Sequence, residues 1–129
     1  AAKNNRFDVT NGELVSKASN VQLKNNNIIS YGDFNVTANR YISAKSNDIT
    51  ANGTVSLTSK ESNVTANDNK INSQNVNIGA KNKLTMQKND IKYRKTADFN
   101  GKTKDITSDN STKKVTEKVP LGAMGHLLY

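Results

Sequence analysis

Apolar residues recur along this chain at a step of mostly seven, sometimes six, eight or nine: Phe7, Leu14, Val21, Ile28, Val36, Ile42, Ile49, Leu57, Val64, Ile71, Ile78, Leu84, Ile91, Phe99, Ile106 and Val115. A seven-residue step would suit a coiled coil. With Phe7, Leu14, Val21 and Ile28 at position a, however, position d would carry Thr10, Lys17, Lys24 and Tyr31, which is not an apolar seam. Inside each step the period is two: Phe34, Val36, Ala38; Ile49, Ala51; Val64, Ala66; Val76, Ile78, Ala80. Alternation of this kind predicts strands of about four to six residues with one face inward. Each is followed by Asn, Asp, Gly, Lys or Ser, residues that accept turn and left-handed backbone.

The polar background changes what those strands can build. Only 33% of the 129 residues are hydrophobic and mean hydropathy is -0.76, so a thick two-layer core is out of reach. One large apolar residue followed two positions later by a small one suits a narrow interior around which short strands wind. Single-chain solenoids generally spend around 20 residues per coil, so a seven-residue step leaves one chain little interior. The expected fold is therefore all-β: an elongated trimeric, intertwined β-helix, a triangular β-prism of short strands. Val36, Ile42, Ile49, Leu57, Val64, Ile71, Ile78 and Leu84 are expected at its axis. If each repeat contributes one layer, the shaft is on the order of 75 Å long.

Candidate chemistry is sparse. Cysteine is absent, which removes disulfides, zinc knuckles and thiol nucleophiles. No apolar run approaches the roughly 18 residues of a membrane span. Asp98, Asp105 and Asp109 lie in different repeats and show no acid and base pairing. His126 is the only histidine; on a threefold axis three copies could ligate a metal, yet no second ligand is near, and neither an enzyme nor a cofactor is expected. Residues 81–118 carry eleven Lys or Arg against five acids, a stripe that reads as a solvated face rather than a specific nucleic-acid site. After Pro120 the texture becomes LGAMGHLLY. The division expected is a repetitive shaft over residues 1–119 and an apolar tail over 120–129, in which Leu127, Leu128 and Tyr129 dock a partner or plug the end.

The phrases FNVTANRYISAKSNDITANGTVSLTSK and NVNIGAKNKLTMQKNDIKY resemble the C-terminal repeat region of the valine-glycine repeat (VgrG) spike proteins of type VI secretion, and are similar to the central spikes of contractile phage tails. The resemblance implies a homotrimeric, membrane-piercing shaft with transient contact to a target membrane, carrying a PAAR-like tip protein or a cargo effector. It implies residence in the bacterial cytoplasm before firing and in the medium or a target cell afterwards, or in a phage-like particle. The hub and neck domains of such spikes are absent here, and Asn and Lys replace most of their turn glycines. The chain starts at Ala1 rather than Met and is read as a fragment. The alternative reading is a segment of a single-chain right-handed β-helix from a secreted adhesin, which would share Asn-rich ladders and the lack of chemistry but spend about three strands per coil.

Overall fold

Three seven-residue steps make one coil of a single chain. A computed structural model describes residues 2–3, 6–16 and 19–121. It contains β1 (Ala2–Lys3), β2 (Arg6–Val9), β3 (Gly12–Ser16), β4 (Val21–Lys24), β5 (Asn27–Ser30), β6 (Phe34–Ala38), β7 (Ile42–Lys45), β8 (Asp48–Ser59), β9 (Val64–Asn67), β10 (Lys70–Ala80), β11 (Lys83–Gln87), β12 (Asp90–Asn100), β13 (Thr103–Ile106) and β14 (Ser111–Lys114). Every pairing between them is parallel. The architecture is a stack of parallel coils, a β-solenoid.

The registers sort the apolar anchors into three columns. Phe7, Ile28, Ile49, Ile71 and Ile91 are successive partners in the first. Leu14, Val36, Leu57, Ile78 and Phe99 form the second, and Val21, Ile42, Val64 and Leu84 the third. Consecutive strands in the chain therefore belong to different columns, and a strand meets its partner one coil later. The eight residues expected at an axis, Val36 through Leu84, are all 1% exposed or less. They line an interior enclosed by one chain. Small residues sit where the alternation approaches the corners: Ala38, Ala44, Ala51 and Ala66 are equally buried. Stacking identical shapes one coil apart gives each inward β-branched side chain neighbours above and below, which suits the pleated wall.

The stacking also revises the length. An axial rise of about 4.8 Å is gained per coil, not per seven-residue step, so the six-stranded ladder β1-β4-β7-β9-β11-β13 extends on the order of 25–30 Å. The anchor Ile106 leaves the columns at the far end. Register places Lys104, not Ile106, opposite Leu84, and Ile106 is 42% exposed. Lys104 Nζ donates to the Phe99 carbonyl at 3.2 Å, and β13 is exposed throughout.

Corners are made in two ways. At one, the residue that ends the turn adopts left-handed backbone in four coils: Asn25, Ser46, Asp68 and Lys88, with φ of 57°, 58°, 58° and 53°. At another, β8, β10 and β12 pass through without a break, and Ala51-to-Thr54 in β8 spans one residue more than its partner stretch Ser73-to-Asn75 in β10. Such an added residue bends a strand locally. The coil can thus vary by a residue while the inward alternation resumes in phase.

Glycine is required where side chains cross that bend. A Cβ on Gly53 would fall inside the space of the Asp33 carboxylate oxygen and 3.0 Å from the Gly32 carbonyl, and that same carboxylate accepts from Thr54 N–H at 2.8 Å. Gly53→Ala is expected to displace the carboxylate and cost about 1–3 kcal/mol. Gly79 has nothing near its would-be Cβ, so Gly79→Ala should stay within about 0.5 kcal/mol. Urea denaturation of the two variants checks the contrast.

Candidate functional site

The polar groups that this fold brings together are asparagines. Asn26, Asn47, Asn69 and Asn89 each follow a left-handed corner residue and are each 2% exposed. Asn26 donates through both its backbone N–H and Nδ2 to Asn47 Oδ1, at 3.0 Å and 3.0 Å. Asn47 repeats this onto Asn69 Oδ1 at 3.0 Å and 3.0 Å, and Asn69 onto Asn89 Oδ1 at 2.9 Å and 3.1 Å. Asn89 Nδ2 then reaches Asn110 Oδ1 at 2.7 Å. The second Nδ2 hydrogen reaches back to the preceding coil: Asn47 donates to the Leu23 carbonyl at 3.0 Å, Asn69 to Ala44 at 2.9 Å and Asn89 to Ala66 at 2.8 Å.

An amide side chain suits this position because it carries an acceptor and two donors on one short arm. At each rung the turn leaves a backbone N–H and a carbonyl pointing into a place water does not reach. The asparagine one coil on serves both, its Oδ1 accepting from the N–H and its Nδ2 donating to the carbonyl. Buried polar groups are costly unless paired, and here the pairing repeats with the coil.

Sequence reasoning did not single these residues out. The signal is present: Asn-x-Ile occurs at 26–28, 47–49, 69–71 and 89–91, with steps of 20 to 22 that appear only once the chain is aligned by coils.

The second polar feature is at the far end of the stack. Arg94 stands in the bend of β12. Its Nε donates to the Glu117 carbonyl at 2.8 Å, its guanidinium reaches the Lys118 carbonyl at 3.4 Å and Ser73 O at 3.2 Å, and it also contacts Asn72 Oδ1. Partial burial lowers the Arg94 pKa, and the charge of Glu117 opposes that shift; the group remains a cation. It fastens the segment after β14 to the wall. Val119 and Leu121 in and beyond that segment are 7% and 5% exposed.

Catalytic constellations do not assemble among the described residues. No three His, Cys, Asp or Glu side chains among those residues are grouped to hold a metal. Asp98, Asp105 and Asp109 are all exposed. The Asp109 carboxyl is held below the usual range, chiefly by the Thr107 hydroxyl; desolvation opposes this and the Lys88 N–H adds to it. His126, Leu127, Leu128 and Tyr129 lie outside the described residues. Among the described residues, no helix is long and apolar enough to cross a membrane.

No protein-family model, curated protein or solved structure matches this chain.

Proposed function

We propose that this chain is a structural rod segment: a single-chain β-helix of the kind that secreted adhesins use as a stalk, which spaces other parts of a protein or assembly and does no chemistry of its own. The observation that supports this reading is the enclosed interior. The inward residues of the stacked coils are buried against their own chain, and the asparagine ladder runs from coil to coil within it.

A rod follows from the bonding. Each inner strand is bonded on both edges, and each ladder asparagine ties its coil to the next, so bending one coil strains its neighbours. Sequential stacking of this kind gives quasi-one-dimensional stability in which interfaces between neighbouring coils carry the fold.

The spike-shaft reading shares the strand stacking but calls for three chains, a tip protein and a contractile machine. Chain number separates the two. Light scattering on the purified chain should return the 14.1 kDa of a monomer with a β circular dichroism spectrum. A mass three times larger, lost together with the β signal on dilution, would overturn the stalk reading in favour of the homotrimeric shaft.

A further inference from the structure

Lys60, Lys81 and Lys102 are 21 residues apart, and the coil puts them in a row. Ser59 pairs with Ala80, and Gly79 with Asn100, so each lysine leaves the wall at the same corner, one coil above the last. Backbone spacing along the row is about 4.8 Å. All three are exposed, and none of their side chains has a partner among the described residues. Arg40 and Lys83 stand on the same corner and are also exposed.

Like charges stacked one strand apart repel. The column Asp48, Lys70, Asp90 alternates in sign, whereas Lys3, Lys24 and Lys45 are successive register partners and Lys92 lies opposite Lys113. What sets the row Lys60, Lys81, Lys102 apart from those stacks is the surface at its start. The row begins beside a shallow cleft lined by Asn20, Arg40, Tyr41, Glu61 and Ser62, where the hydroxyl of half-buried Tyr41 accepts from Gln22 Nε2 at 2.9 Å and its backbone N–H donates to Asn20 Oδ1 at 3.1 Å.

We infer that this corner binds a linear acidic polysaccharide with one carboxylate per sugar. Cations in a straight row one strand spacing apart match a polymer whose charges repeat at about the length of one sugar. The cleft adds what a sugar ring requires: a fixed aromatic face, with amide, hydroxyl and guanidinium groups beside it. A single-stranded nucleic acid would want several bases stacked on successive aromatic rings, and the row has none beyond Tyr41. The row depends on the single-chain coil and so rests on the rod reading above.

The test uses the whole chain and an oligogalacturonate, measured by interferometry at about 0.15 M salt, where nonspecific attraction is screened. The triple variant Lys60→Gln, Lys81→Gln, Lys102→Gln should bind about tenfold more weakly, three exposed charge contacts acting together. A variant of equal net charge, Lys24→Gln, Lys70→Gln, Lys113→Gln, should differ from the parent by less than about twofold. Equal weakening in the two variants, no binding by the parent, or equal competition by oligodeoxythymidylate would overturn the assignment. Light scattering on the same samples keeps the two readings apart: a monomer that does not bind loses the site and keeps the stalk, whereas a trimer removes the stalk and the row with it.

Discussion

Asn69→Leu is expected to destabilise the protein by about 3–5 kcal/mol, although leucine has a similar volume and greater hydrophobicity. The loss is one of partners. Asn47 N–H would have no acceptor in place of Asn69 Oδ1, the Ala44 carbonyl would lose its Nδ2 donor, and Asn89 Oδ1 would keep only the backbone donor. Each buried group left without its partner costs about 1–3 kcal/mol. For a chain of this size that is a large share of a total near 5–15 kcal/mol. Asn67 provides the contrast two positions away. Its Oδ1 is buried and has no hydrogen-bond partner, so Asn67→Thr should leave stability unchanged or raise it slightly. Thermal and urea denaturation of the pair measure the difference, and equal losses in both variants would show that the ladder adds nothing beyond ordinary packing.

Strand placement was legible in the sequence because alternation is a local property. Val36, Leu57 and Ile78 face inward for the reason their spacing suggested. What the seven-residue step left open was closure. A step of seven can be one layer of three chains or one side of a single coil, and both give the same inward and outward pattern. Resolving them takes information from positions about 21 residues apart, which is where Asn26, Asn47, Asn69 and Asn89 carry it. Those residues looked like turn formers, and they are at turns; that their amides bond to the next coil depends on tertiary stacking. Ile106 shows the opposite error. Its spacing from Phe99 kept the step of seven, but the coil from Leu84 returns to Lys104 after 20 residues, which leaves Ile106 opposite Met86, two positions further along the same ladder at its exposed end. The basic run over residues 81–118 was visible as charge. How its lysines stack was not: Lys81 and Lys102 continue a row from Lys60, and Lys92 lies opposite Lys113, since stacking is a property of coil register.

Ile71→Asp should abolish the folded state at neutral pH. Ile71 is 1% exposed and lies between Ile49 and Ile91 in the first column, so the carboxylate would sit between two isoleucines, with aliphatic side chains from the other columns around it and no buried cation among the described residues to pair with. Removing the isoleucine side chain alone costs about 2–5 kcal/mol, and an unpaired buried charge adds several more. The sum reaches the whole stability of an ordinary domain. An introduced acid of this kind has its native pKa raised above the unfolded value. Its electrostatic penalty is therefore complete above that raised pKa, and it fades as pH falls through it towards the unfolded value. Acidification should return part of the β circular dichroism signal to Ile71→Asp, while the packing loss persists. Ile106→Asp, at an exposed position of the same residue type, should change stability by less than about 0.5 kcal/mol. If Ile71→Asp melts like the parent at neutral pH, the first column does not face a closed interior, and the coil reading fails with it.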